Sequence, residues 1–271
     1  MAPTSVSVLG CGWLGLPLAK HLVTQGFIVK GSTTSPDKLP VLKDAKIKPF
    51  LIICGPPLVG ENIPEFFDAR TLFLNVPFRR DMEPSVYKKQ IDAIVDRLRG
   101  SCIEFVVFAS STAVYPRTLK EAREGVRFTP DNPRSRTLYE IERSLLEERR
   151  FQTTLIRFAG LYGGSRRIGD FLTGPKRLSR SNGPANLIHL EDCVGIVHEV
   201  IQKDARGEIF NACSDVHPYK EELYTKAAKN MGLAAPSFNE ESSVSSKVVI
   251  NEKIKKELGY RFKHPDPLDD C

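Results

Sequence analysis

The stretch "SVSVLGCGWLGLPLAKHLVTQGFIVKGSTTS", residues 5–35, decides the fold. Val6-Ser7-Val8-Leu9 reads as a short apolar strand. Residues 13–25 then place Leu14, Leu18 and Leu22 on one helical face, Gly26 stops that helix, and Phe27-Ile28-Val29 opens a second strand. Between strand and helix lies Gly10-Cys11-Gly12-Trp13-Leu14-Gly15, a G-x-G-x-x-G. In such a loop Gly10 makes the tight turn, Gly12 admits backbone to a pyrophosphate, and Gly15 lets the helix pack against the sheet. The helix N-terminus adds free N–H groups and the positive end of its dipole. The same loop could be a tight turn that binds nothing. Its place between strand and helix points instead to a dinucleotide cofactor held by Gly10, Gly12, Trp13, Leu14 and Gly15.

The end of the second strand bears on which dinucleotide. An Asp or Glu there holds the ribose 2′-hydroxyl of NAD. This chain has Lys30-Gly31-Ser32-Thr33-Thr34-Ser35, with no acid. Ser32, Thr33 and Thr34 can hydrogen-bond a 2′-phosphate, and Lys38 adds charge, so NADP is favoured over NAD. The competing reading is a Ser/Thr cap for the next helix.

Outward from this unit the alternation continues. "KPFLII" (48–53), "TLFLNV" (71–76), "IEFVVFAS" (103–110) and "TTLIRF" (153–158) read as strands. Helices are predicted at 84–99, closed by Gly100, and at 137–149. Apolar strands separated by helices imply a parallel sheet covered on both faces: an α/β, Rossmann-type doubly wound fold. Asn75-Val76-Pro77 ends the fourth strand, where backbone passes along a cofactor in such sheets. After residue 160, "GLYGGSRRIGDFLTGPKRLSRSNGPAN" reads as a long loop. Helices return at 192–202, 219–231 and 251–258, with short strands near 208–212 and 247–250. The expected organisation is a cofactor domain over 1–160, to which later segments return, and a small C-terminal substrate-binding lobe over 161–271.

Bulk properties narrow the class. With 271 residues, 41% hydrophobic and 27% charged, the chain can bury a full core. The net charge of +6 is scattered, without an aromatic-interleaved stripe. It suits anionic small ligands rather than nucleic acid. The six cysteines form no C-x-x-C and the five histidines no metal spacing, so buried reduced thiols and no metal are expected. No signal peptide or bilayer-length apolar run is visible, which makes the cytoplasm, without a membrane partner, the expected location.

Several motifs together resemble the extended and atypical short-chain dehydrogenase/reductases, the NAD-dependent epimerase/dehydratase family. Gly12-Trp13-Leu14-Gly15 is similar to that family's G-F-I-G. "FASSTAVYP" (108–116) is similar to its S-S-x-x-V-Y-G, and "TLIRFAGLYGG" (154–164) to its R-x-x-x-x-Y-G-P. Gly12 to Ala19, "NLIHLED" (186–192) and Pro265-Asp266-Pro267-Leu268 resemble the YeeZ-like branch in particular. The resemblance spans nearly the whole chain and implies a Rossmann fold, NAD(P) binding and a small substrate lobe. It implies no particular reaction. By analogy with family members, the helices at 84–99 and 137–149 would form a homodimer.

The resemblance also implies a site. In the larger family a Tyr moves the proton, a Lys four residues later lowers its pKa, and a Ser or Thr fixes the substrate oxygen. The division makes sense because an unperturbed tyrosine near pKa 10 is a poor base at neutral pH. Ser111 stands at the hydroxyl position, flanked by Ser110 on the cofactor side. Tyr139 with Arg143 gives Tyr-x-x-x-Arg, on one helical face. A second register, matching Pro133 and Glu142, puts Arg134 at the Tyr position and Leu138 at the Lys position, and the pair is then gone. Arg166 and Arg167 could clamp an anionic substrate. His189 could line the substrate lobe or merely satisfy a strand end.

Two functions fit these residues. One is an NADP-dependent oxidoreductase or epimerase/dehydratase acting on a nucleotide-sugar or small carbonyl substrate, with Ser111, Tyr139 and Arg143 as its catalytic group. The other is a non-catalytic dinucleotide-binding sensor with a degenerate Tyr-Lys site. The retained Ser111 and the arginine-bearing loop favour the first; the altered pair favours the second.

Overall fold

The computed structural model describes residues 4–172, 178–179, 183–234, 236–239 and 247–271. In chain order the first half runs β1 (Ser5–Leu9), α1 (Gly15–Thr24), β2 (Ile28–Thr33), α2 (Leu39–Asp44), β3 (Lys48–Ile53), β4 (Val59–Gly60), α3 (Ile63–Phe66), β5 (Thr71–Leu74), α4 (Pro84–Arg99) and β6 (Phe105–Ser111). The second half runs β7 (Glu121–Ala122), α5 (Pro133–Glu147), β8 (Gln152–Phe158), β9 (Gly160–Tyr162), β10 (Leu178–Ser179), β11 (Leu187–His189), α6 (Leu190–Gln202), β12 (Ile209–Ala212), α7 (Lys220–Asn230), β13 (Phe238–Asn239), β14 (Val248–Val249) and α8 (Glu252–Leu258).

Eight strands form one sheet in the order β12-β8-β6-β5-β1-β2-β3-β4. β1 pairs in parallel with β2 and with β5, β2 with β3, and β5 with β6; only the short β4 is shown running antiparallel, against β3. From β1 the chain builds outward to β2 and β3, then crosses back to add β5 and β6 on the other side. The reversal puts the carboxyl ends of β1 and β5 side by side at the switch point of a doubly wound sheet, where ligands bind in this class. Val6, Val8 and Leu9 of β1, Leu72 to Leu74 of β5 and Phe105 to Phe108 of β6 are fully buried, as strands covered on both faces require.

The chain divides into two compact units, each built from several segments. The first comprises 1–110, 132–156 and 197–209; the second comprises 111–131, 157–196 and 210–271. In the first unit, α1 buries Leu18, Ala19 and Leu22, and Gly26 turns the chain out of it at φ +84°. Helix α5 starts at Pro133, earlier than the periodicity from residue 137 suggests. Asn132 and Ser135 form a reciprocal capping box there: Asn132 Oδ1 accepts from Ser135 N at 2.9 Å, and Ser135 Oγ accepts from Asn132 N at 3.3 Å.

The second unit has its own apolar cluster of Tyr162, Ile168, Ala185, Leu187, Leu223 and Ala227. The same unit carries three two-stranded parallel ladders, β9–β11, β7–β14 and β10–β13, of which β9 and β11 supply Tyr162 and Leu187 to the cluster. The long loop predicted after residue 160 is partly ordered into β9 and a 3-10 turn at Ile168–Leu172, and residues 173–177 and 180–182 of it lie outside the described residues. Among the described residues, no helix is long and apolar enough to cross a membrane.

Candidate functional site

The glycine loop is held from two sides. From β2, the Ser32 hydroxyl accepts from Gly10 N at 3.0 Å and the Ser32 carbonyl from Cys11 N at 2.7 Å. From the end of β5, Asn75 Nδ2 donates to Gly10 O at 3.0 Å, and Asn75 N donates to Leu9 O at 3.0 Å. Gly10 sits at φ +106°, and a Cβ there would lie 2.5 Å from Asn75 O. A Cβ on Gly15 would strike the Gly10 carbonyl. These two glycines are therefore required by the protein's own packing. Gly12 is different: it is exposed, and a Cβ on it would meet nothing within 4 Å. It faces open space at the mouth of α1, whose N-cap, Leu14, supplies no side-chain hydrogen bond to the helix. The helix thus starts without a side-chain cap, beside a glycine on which a Cβ would touch nothing, and a helix N-terminus of this kind can receive an anion. Trp13 is half-buried and Leu14 buried beside it.

The end of β2 divides its hydroxyls. Ser32 is buried and committed to the loop, and Thr33 Oγ1 accepts from Ser35 N at 3.1 Å. Thr34 and Lys38 are exposed, and the Lys38 charge reaches the Cys11 thiol in the loop. Burial nevertheless pushes that thiol up to about 12, which leaves Cys11 a small buried hydrophobe, not a nucleophile.

After Asn75, Val76 O accepts from Tyr87 Oη of α4 at 3.0 Å, Pro77 is exposed, and the Phe78 ring stacks on Tyr87 at 4.2 Å. Arg134, in the first turn of α5, lays its guanidinium 3.5 Å above the other side of Phe78 and donates to the carbonyls of Phe78 and Arg79. An Arg–Phe–Tyr stack thus fixes the strip that follows β5.

Helix α5 shows which of its faces meets the sheet. Leu138, Ile141, Glu142 and Leu145 are buried, and Glu142 Oε1 accepts from Ser110 Oγ, at the end of β6, at 2.5 Å. Tyr139 and Arg143 lie together on the neighbouring stripe. They hydrogen-bond each other, Arg143 pairs with Glu147, and with Lys88 and Arg99 of α4 they line a shallow surface groove. Positions 134, 138 and 142, spaced by one turn each, carry the inward face.

Ser111 caps the short 3-10 turn Thr112–Val114, its Oγ accepting from Ala113 N at 3.1 Å. Tyr115, at the end of that turn, is buried. Its hydroxyl donates to Asn211 Oδ1 and accepts from Arg157 Nη1, each at 2.8 Å, and desolvation pushes its pKa up. Arg167 is paired with Asp170 at 2.9 Å, while exposed Arg166 closes a main-chain bridge with Gly163. His189 ends β11, with Nδ1 accepting from Glu191 N at 3.2 Å and its ring 3.5 Å from that of His264. Desolvation, then the His264 charge, lowers its pKa. Asp192 falls inside the first turn of α6, which starts at Leu190, two residues before the 192–202 expected from the sequence. Fully buried, it accepts from Tyr260 Oη, Lys263 N and His264 N, and so pins the C-terminal segment.

Sequence reasoning passed over Lys247. This half-buried lysine donates to the carbonyls of Thr112 (2.9 Å) and Tyr115 (2.7 Å), on the turn that Ser111 caps. A lone lysine ahead of an apolar Val-Val-Ile strand was the available signal.

No protein-family model matches the chain. Protein YeeZ of Escherichia coli K12 is 32% identical over 267 residues, which is 97% of each chain. Among solved structures, a protein of Methylobacillus flagellatus assigned to the NAD-dependent epimerase/dehydratases superposes with a TM-score of 0.76 at 22% identity, covering 99% of this chain and 96% of that one. MoeE5, solved with UDP-glucuronic acid and NAD, gives 0.79 at 18%, covering 98% and 97%. At these identities the structures speak for the fold alone, the doubly wound α/β type anticipated from the sequence. The near-complete alignment at 32% identity speaks for the lineage, and the chain belongs to the YeeZ family.

Proposed function

We propose that the chain binds a nicotinamide dinucleotide through its first unit and acts as an oxidoreductase or epimerase/dehydratase on a nucleotide-sugar or small carbonyl substrate. The observation that carries this reading is Gly12: open on the side where the other two glycines are filled, beside an uncapped helix N-terminus. The diphosphate would lie there, on the N–H groups of Gly12 to Leu14. NADP is the proposed form. The end of β2 carries no carboxylate to hold a 2′-hydroxyl and would repel no 2′-phosphate, and Thr34 and Lys38 are exposed beside it. When bound, the nicotinamide supplies hydride transfer.

Ser111 is the residue proposed to fix a substrate oxygen. For the proton, the orientation of α5 favours the register in which Arg134 and Leu138 occupy the Tyr and Lys positions. In that register Arg134 braces the strip after β5, and the Tyr139–Arg143 pair belongs to the helix surface. This observation supports the second reading, a dinucleotide-binding protein without the family's Tyr-Lys chemistry. Thermal unfolding with NADPH, NADP+, NADH and NAD+ tests the shared premise. Ligand at ~100 Kd adds about 2.7 kcal/mol, so stabilisation by the phosphorylated pair alone supports the proposal as written, and by NAD(H) alone reverses the cofactor choice. If none of the four raises the transition, both readings fall. A screen of nucleotide sugars and carbonyl compounds under NADPH, with Ser111→Ala as control, then separates enzyme from sensor.

A further inference from the structure

Several exposed cations of the second unit are neutralised by a nearby carboxylate. Arg123 reaches Glu121 and Glu252, Arg167 reaches Asp170, and Lys255 reaches Asp215 at 2.8 Å. For half-buried Lys247, among the described residues no carboxylate lies within 4 Å of Nζ. Its two hydrogen-bond partners are the uncharged carbonyls of Thr112 and Tyr115, and the Tyr115 ring lies 5.8 Å away. Among the described residues two of the three ammonium donors have partners, which leaves one N–H for a ligand. Asp131 and Arg117 act on it from longer range with opposite signs. Burial lowers its pKa to about 8, the response of a positive charge taken from water that distant charges do not offset. Both carbonyls belong to the turn capped by Ser111, so the charge is held one turn from the hydroxyl proposed to meet the substrate.

We propose that Lys247 is the anion-recognition residue of the second unit, accepting an oxyanion of the substrate, a phosphate or a carboxylate, on its remaining N–H. The inference rests on the reading of Ser111 as a substrate-binding residue and narrows the substrate class to anionic molecules. The two main-chain carbonyls aim the ammonium, and the oxyanion completes both its hydrogen bonding and its charge. This makes Lys247, rather than the acid-paired Arg167, the group that discriminates charged from neutral substrates.

The test is a titration of the intact chain carrying lysine labelled with 13C at Cε, in the absence of any dinucleotide. The Lys247 signal is identified as the one missing in Lys247→Arg, or in Lys247→Gln should the arginine variant fail to fold. The expected midpoint is near the value that burial imposes, well below an ordinary lysine. Inorganic phosphate or acetate at matched ionic strength should raise it by about one pH unit, a tenfold preference of the anion for the charged form. Movement with phosphate alone assigns a phosphoryl group, and movement with acetate a carboxylate. A midpoint in the ordinary lysine range, or one that neither anion moves, overturns the proposal. NADPH stabilisation of the same sample reports separately on the dinucleotide reading, so the two can fail independently.

Discussion

Replacing Gly12 by alanine separates folding from ligand binding. The new methyl would project into space with no atom within 4 Å. The folding cost should stay within about 0.5 kcal/mol, as for other substitutions that meet nothing. The same methyl would stand where the diphosphate is proposed to lie. Wild-type protein at ~100 Kd of NADPH should gain about 2.7 kcal/mol, a rise of about 5–10 °C in Tm for a chain of this size. A hundredfold loss of affinity in Gly12→Ala brings the same ligand concentration down to about Kd, which leaves about 0.4 kcal/mol and a rise of about 1 °C. Gly10→Ala supplies the contrast. Its methyl would lie 2.5 Å from Asn75 O on a backbone at φ +106°, so it should lose about 2–4 kcal/mol of stability before any ligand is added. Differential scanning fluorimetry of the three proteins, with and without NADPH, reads both effects. A Gly12→Ala protein that keeps the full ligand-induced rise would refute the placement of the diphosphate and remove the main support for the proposed function.

Other outcomes can be checked alongside. Asn75→Ala removes the Nδ2 bond to Gly10 O and should cost about 1 kcal/mol while weakening NADPH binding; unchanged affinity would mean that the loop keeps its shape without the brace. Tyr139→Phe should leave the NADPH-induced rise and any turnover within twofold of wild type, since Tyr139 lies on the α4-facing stripe with Arg143; a loss of turnover beyond tenfold would return the pair to the catalytic centre. Lys247 binds its proton less tightly folded, at about 8, than unfolded, near 10.5, so the burden of its charge is complete below pH 8 and is relieved as pH rises toward the unfolded value. The stability of wild type relative to Lys247→Met should therefore climb between pH 8 and 10.5, by at most about 3 kcal/mol, and denaturant midpoints across that window would expose a flat or falling difference. Brief alkylation followed by mass mapping should modify exposed Cys102 first and leave buried Cys11, Cys193 and Cys213 intact.

Much of the first unit could be read from local patterns because its strands are continuous apolar runs and its helices carry clear stops. The prediction of 84–99 matches α4 residue for residue, and 48–53 matches β3. The start of α5 is spelled by its cap, Asn132-Pro133-x-Ser135, four residues before the hydrophobic spacing becomes regular at 137. The glycine loop was legible as a motif, yet which glycine serves the fold and which faces open space depends on Asn75, 65 residues away from Gly10. Ser32 shows the same limit. A hydroxyl at that position reads as a phosphate ligand, and only the packing of β2 against β1 turns it onto Gly10 N. Lys247 was invisible for the converse reason. Nothing in its own neighbourhood marks it, and its environment comes from a turn more than 130 residues earlier.

The bracing of the Gly10–Cys11 segment by Ser32 and Asn75 also bears on the kinetics of association. A loop already held by three hydrogen bonds to β2 and the end of β5 has little conformational entropy left to surrender when a dinucleotide arrives. Binding there should resemble docking onto a rigid surface, with bound and free loops superimposable and association limited by encounter rather than by rearrangement. Cofactor exchange in this chain would then be governed by how fast the ligand leaves.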